Sequence, residues 1–216
     1  MDYGINDIKS LSFKDAVRAR VQMYLGSDDL DGTYQAFKEI INNSTDEAIA
    51  GYGNKIEIYV NETENYIAVR DYGRGVPFGI REDGENVLIS IYSKSHTGGK
   101  FEEGPYKNAS GLNGIGAKCV CLSSEKFEVQ SNRNGKTACA FFEKGNLVNY
   151  KEGTTKDPDG TYVRFKPDKE VFDRLSGHFV KYKSITGIME ETELFTKEEF
   201  IEALTKELKS ILATIE

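Results

Sequence analysis

The strongest constraint on the fold is a change of hydrophobic period partway along the chain. Over residues 33–50 the apolar side chains Phe37, Ile40, Ile41, Ala48 and Ile49 recur at the spacing of one helical face, which predicts an amphipathic helix laid on a core. Asp29 or Asp31 stands where such a helix takes its cap. From residue 55 the period drops to two. Residues 55–60 and 66–71 alternate apolar and polar around a polar loop at 61–65, the pattern of an antiparallel hairpin. That alternation puts Ile67, Val69 and Asp71 on the same face, so a carboxylate shares a face with core residues. Residues 126–131, 137–143 and 161–166 read as further strands, set apart by Asn134-Gly135, Lys144-Gly145 and Pro158-Asp159-Gly160. A helix ahead of strands joined by short turns predicts an α+β chain. It would be a two-layer α/β sandwich, with helices covering one face of a mixed, mainly antiparallel sheet.

Composition narrows the function classes. A chain of 216 residues with 38% hydrophobic and 29% charged residues and four prolines fits one soluble domain. It has no run of about 18 apolar residues to span a membrane and no basic, apolar leader. Lys and Arg number 28 against 35 Asp and Glu, a net charge of −7, so any dealing with DNA would be indirect. Cys119, Cys121 and Cys139 are odd in number and lack C-x-x-C spacing, which reads as reduced thiols in a cytoplasmic protein. His96 and His178, far apart in sequence, leave little material for a His-based metal site or a catalytic triad.

The segments divide into an arm at 1–30, a core at 31–172 and a helical segment at 173–216. In the last, Thr196 and Glu199 form a capping box ahead of Phe200, Ile201, Leu204, Leu208, Ile211, Leu212 and Ile215. Between residues 73 and 116 the chain is glycine-rich, with residues 87–92 apolar enough for a short helix; long glycine-rich loops in a compact domain are uncommon unless functional.

Four pieces carry candidate chemistry. Glu39, Asn43, Asp46 and Glu47 make a polar stripe on the first long helix, either a solvated face or a set in which an Asn oxygen ligates Mg²⁺ and a carboxylate takes a proton from water. Asp71-Tyr72-Gly73-Arg74-Gly75-Val76-Pro77 ends a strand in a glycine turn. It is a plain tight turn or a pocket in which the buried carboxylate meets a donor such as an adenine amino group. Gly98-Gly99-Lys100-Phe101 and Gly111-Leu112-Asn113-Gly114-Ile115-Gly116-Ala117-Lys118 lead into an apolar helical stretch at 115–122. They are a hinged lid or an anion site at a helix start; neither the dinucleotide fingerprint nor the phosphate loop fits, since no strand precedes and Cys119 follows Lys118. Asp159-Gly160-Thr161 feeds a strand, and Thr161 matters only if it faces Asp71.

Taken in order, these pieces resemble the ATP-binding domain of type IIA DNA topoisomerases, of the gyrase B and topoisomerase IV B kind, over roughly residues 3–172. The wider GHKL superfamily, with its Hsp90 chaperones, MutL proteins and sensor histidine kinases, shares the Asn and glycine motifs. The resemblance implies an ATPase whose nucleotide closes a dimer gate around DNA, with ATP and Mg²⁺ as cofactors. It implies Glu39 as the general base, Asn43 as the Mg²⁺ ligand and Glu47 beside them in the nucleotide site. Asp71 matches the adenine acceptor, Thr161 its water-sharing partner, Arg74 and Pro77 the pocket wall and Gly75 the turn beneath the base. Lys100 and the amides of Leu112, Asn113, Gly114, Ile115, Gly116, Ala117 and Lys118 match the phosphate lid, and Tyr106 a lid contact to the nucleoside. Tyr3 matches an arm residue reaching into the partner protomer of a homodimer, and Arg133 the rim arginine associated with aminocoumarin inhibitors. The resemblance further implies an A-type subunit and DNA as partners through domains beyond residue 216, making this an N-terminal fragment ahead of a transducer domain.

Departures from that pattern are definite. Gln35 stands where the family usually has His and cannot become a cation, which predicts weaker orientation of Glu39 and slow turnover. Residues 18–24 lack the usual Pro-Gly before Met23-Tyr24, Asn42 replaces an Asp, and Asn113 replaces a common His. An alternative reading is a nucleotide-gated dimerisation clamp with little catalysis, or a more distant relative of the MutL or Hsp90 kind.

Overall fold

The computed structural model describes residues 10–61, 64–95 and 115–172, together with the backbone of 180–184 and 189–193. Helices α1 (Phe13–Ala19), α2 (Gln22–Leu25) and α3 (Leu30–Ile49) come first, followed by strands β1 (Ile56–Asn61) and β2 (Tyr66–Asp71). Helices α4 (Val87–Ser93) and α5 (Gly116–Ser123) precede β3 (Ser124–Arg133), β4 (Lys136–Glu143), β5 (Asn146–Thr154) and β6 (Gly160–Pro167), and a separate hairpin, β7 (Val180–Ser184) with β8 (Met189–Glu193), ends the described chain. The six-stranded sheet runs β1-β2-β6-β3-β4-β5.

Every described pairing in that sheet is antiparallel, so the mixed sheet of the sequence reading becomes a purely antiparallel one. The turns dictate this. Asn134 and Gly135 at φ 53° and 72°, and Lys144 and Gly145 at 48° and 74°, adopt the left-handed conformation that folds a strand straight back on its neighbour. Strand β6 then inserts between β2 and β3 and pairs antiparallel with both.

One face of the sheet carries the core. Ile67 and Val69 of β2, Val163 and Phe165 of β6, Phe127 and Val129 of β3, and Ala138, Ala140 and Phe142 of β4 are all buried. The Phe127 ring lies 5.3 Å from that of Tyr92 and 6.1 Å from that of Phe142. Over this face lies α5, buried from Lys118 to Ser123, and beside it α3, which is capped by Asp29 through the amide of Asp31. Cys119, Cys121 and Cys139 are free thiols; burial pushes Cys119 up to about 12 and Cys121 well above its usual value.

The sequence reading missed or misplaced four features. Ile49 is 48% exposed: the apolar face of α3 ends at Ile41, and the helix then buries Ser44, Thr45 and Asp46 instead. Strand β5 escaped notice because it is an edge strand exposed along nearly its whole length; with no buried face it has no alternation to show. The β7–β8 hairpin falls inside the segment 173–216 that was read as helical. The stretch read as an arm contains α1 and α2, whose Val17, Val21 and Leu25 are fully buried. The Arg18 guanidinium ties α1 down, donating to Asp168 Oδ2 at 2.6 Å and to the Leu122 carbonyl at 3.0 Å.

Candidate functional site

Asp71 closes β2 on the core face at 6% exposure. Its Oδ1 accepts from the Gly73 and Thr161 amides, both at 3.0 Å, and its Oδ2 accepts from the Ser44 hydroxyl at 3.2 Å. Burial nevertheless pushes its pKa above the ordinary carboxylate value, the donors offsetting part of the shift and the Glu47 charge adding to it. A carboxylate kept in such a place costs several kcal/mol in solvation before its donors are counted, roughly. Thr161 does face Asp71 as the sequence required, although its link is through the main-chain amide.

The turn after Asp71 is held from the end of β3. Gly75 sits at φ +72°, and a Cβ there would lie 2.2 Å from the Asn132 carbonyl oxygen, so only glycine fits. The Ser131 hydroxyl donates to the Val76 carbonyl at 2.6 Å, and Arg133 donates to the Gly75 carbonyl at 2.9 Å. Arg74 forms a fork on Glu47 of α3, with Nε 3.0 Å from Oε2 and Nη2 2.9 Å from Oε1. The Tyr52 ring lies 3.8 Å from the Arg74 guanidinium carbon, a stacked cation–π contact. Pro77 is exposed beside this group.

Farther back along α3, Gln35 Nε2 donates to Glu39 Oε1 at 3.0 Å, and Asn43 Nδ2 donates to the Glu39 carbonyl at 3.0 Å. Glu39 and Ser44 are five residues apart, an axial rise of about 7.5 Å. The Glu39 carboxylate lies against Gly116, the first residue of α5. Ile115 caps that helix without any side-chain hydrogen bond, and its first turn holds no acidic residue. Helix starts of this kind present amides to an anion. Lys118 is 2% exposed, and burial lowers its ammonium pKa.

Residues of α3, β2, β3 and β6 therefore meet around Asp71 and its turn, and α3 meets the start of α5 at Glu39. Tyr3, Lys100, Tyr106, Leu112, Asn113 and Gly114 lie outside the described residues. Among the described residues, no group of three or more His, Cys, Asp or Glu side chains could hold a metal ion. The side-chain amide of Asn43, exposed on α3, is an oxygen donor of the hard class that Mg²⁺ takes.

The model of the histidine kinase-, DNA gyrase B- and HSP90-like ATPases matches residues 28–171. The chain belongs to this ATPase family. It is 42% identical over 180 residues to the B subunit of DNA topoisomerase 4 from Borreliella burgdorferi, covering 81% of this chain and 28% of that protein. The corresponding protein from Staphylococcus aureus is 40% identical over 174 residues, covering 79% and 26%. Among solved structures, the 43K ATPase domain of Thermus thermophilus gyrase B in complex with an aminocoumarin is similar, with a TM-score of 0.61 and 32% identity over 74% of this chain and 40% of that one. The chain thus spans about a quarter of the length of the curated relatives it matches.

Within the ATPase domain two participants escaped the sequence reading. Ser44 received no role in the sequence reading, yet it is 5% exposed and bonds Asp71; a small hydroxyl residue one position after the Asn42-Asn43 pair was the available signal. Tyr52 lies beyond the end of α3 and reaches Arg74 only through the fold. Arg133, expected at the rim, is engaged in holding the turn.

Proposed function

We propose that the chain is the ATP-binding and ATP-hydrolysing domain of the B component of a type IIA DNA topoisomerase, in which nucleotide closes a dimer gate during strand passage. The observation that carries this reading is Asp71, a buried carboxylate fixed by the Gly73, Thr161 and Ser44 donors at the base of a glycine turn. An adenine 6-amino group supplies the donor such an acceptor calls for, with Arg74 and Pro77 as the pocket wall and Gly75 letting the base approach the backbone. Glu39 takes the proton of the water that attacks the γ-phosphate. The amides opening α5 and the lid residues Lys100 and Leu112 to Lys118 receive phosphate oxygens. Asn43 would hold Mg²⁺, which supplies charge neutralisation on the phosphates.

The partners on this reading are a second copy engaged through the arm with Tyr3, an A-type subunit and DNA bound by further domains, and aminocoumarins at the Arg133 rim. The compartment is the cytoplasm; among the described residues no helix is long and apolar enough to cross a membrane. In the full-length protein, Glu39→Ala should leave binding of a non-hydrolysable ATP analogue intact while phosphate release collapses. Retained release would remove Glu39 from the base role.

A second reading, a nucleotide-gated clamp with little turnover, is favoured by Gln35, whose neutral amide is the group holding Glu39. Mass measured against concentration with and without the analogue, beside phosphate release, separates the two: dimerisation without release supports the clamp.

A further inference from the structure

Unlike Gly75, Gly116 is a glycine of the site that its own backbone does not call for. It stands at the first position of α5, outside the residues with positive φ, and alanine is the better helix former there by general propensity. What excludes a side chain is Glu39. A Cβ on Gly116 would lie 1.8 Å from Glu39 Oε2, 2.6 Å from Cδ and 3.1 Å from Cγ, and these are its three nearest neighbours. The other oxygen, Oε1, accepts from the Gln35 side-chain amide at 3.0 Å.

We propose that Gly116 is a positioning residue for the Glu39 carboxylate: the missing Cβ lets Oε2 lie directly against the start of α5 while Gln35 fixes Oε1. This rests on the reading of Glu39 as the base. Because Glu39 is only partly buried, a methyl group at position 116 displaces its flexible end rather than unfolding the protein. The consequence is a misaimed carboxylate in an otherwise intact site.

The test is a double-mutant cycle in the full-length protein. Gly116→Ala should lower kcat tenfold or more, by a clearly larger factor than any rise in Kd for a non-hydrolysable ATP analogue. In a Glu39→Asp background, whose shorter side chain withdraws from α5, the same substitution should cost less than twofold beyond what Glu39→Asp costs alone. The ¹⁵N-resolved side-chain amide signal of Gln35 should shift on Gly116→Ala, as its acceptor moves. Equal kcat losses in both backgrounds, a Kd that rises in step with the fall in kcat, or an unmoved Gln35 signal would each overturn the proposal. If Glu39→Ala itself keeps turnover, the base assignment fails and the positioning role with it, whereas the Gln35 signal reports the contact independently of that failure.

Discussion

The two ends of the site are built differently. Around Asp71 four elements meet: β2 supplies the carboxylate, α3 the Ser44 hydroxyl, β6 the Thr161 amide and the end of β3 the clamp on the turn. Around Glu39 there is one helix, one neutral amide from a turn earlier on that helix, and the first residue of α5. The first end is buried and held by two main-chain amides and a buried hydroxyl; the second is partly exposed and held by one side-chain amide. A preformed recognition pocket beside a loosely held chemical group suits a domain that binds first and becomes competent on closure.

That contrast is breakable, beginning with the largest effect. Substitutions at the two ends should fail in different observables. Glu39→Ala should cost about 10²- to 10⁴-fold in turnover, with the analogue Kd unmoved, as phosphate release and calorimetry on one preparation would reveal. A parallel loss of affinity would mean the ends are not separable. Gly75→Ala comes next, since it forces a Cβ onto the Asn132 carbonyl and a left-handed φ on alanine. It should cost about 2 kcal/mol of stability in chemical denaturation and weaken ATP binding as the turn lifts. The contrasting variant, Gly84→Ala, shares the left-handed φ at +82° but has nothing within 4 Å of its Cβ, so it should cost some stability and leave binding alone.

Smaller effects follow from the carboxylate. Because burial raises the Asp71 pKa in the fold, the folded state holds that proton more tightly than the unfolded chain. The contribution of this group to stability is therefore greatest at low pH and falls as pH rises from the ordinary carboxylate value through the raised one. Asp71→Asn should flatten that part of the stability-against-pH curve, measured by denaturation at a series of pH values. ATP affinity should run the opposite way, dropping as pH falls through the raised pKa and the acceptor is neutralised. Ser44→Ala should shift the same titration farther up and cost about 1 kcal/mol in ATP binding, roughly fivefold in Kd, with the hydrolysis step itself unchanged. A Ser44 variant indistinguishable from the natural chain would make that hydrogen bond incidental.

Legibility in the sequence followed burial. The helix α3 and strands β3, β4 and β6 declared themselves because each buries one face more than the other, whereas the β1–β2 hairpin was read from the alternation of residue types alone, since β1 buries no residue and β2 buries both faces. β5 did not declare itself, since its Leu147 and Val148 are 44% and 59% exposed and impose no period. Alternation alone put Asp71 on the core face, where it is buried, and periodicity put Glu39 and Asn43 on the helix that is α3. What alternation could not show was the use of small residues at close range: Ser44 donating to Asp71, and Gly116 making room for Glu39. Those roles depend on two elements distant in the chain approaching within a few ångströms. The N-terminal stretch was underestimated although its Val17, Val21 and Leu25 recur every four residues, the spacing of one helical face, a signal the sequence reading passed over.

The most direct measurement is calorimetric titration of ATP and of GTP, with Mg²⁺, into the natural protein and its Asp71→Asn variant. A preformed adenine pocket predicts that ATP binds and GTP does not, and that Asp71→Asn stays folded while its ATP affinity falls by roughly ten- to a hundredfold, the worth of a hydrogen bond to a charged acceptor. Equal binding of both nucleotides, or ATP binding unaltered by the substitution, would contradict the account.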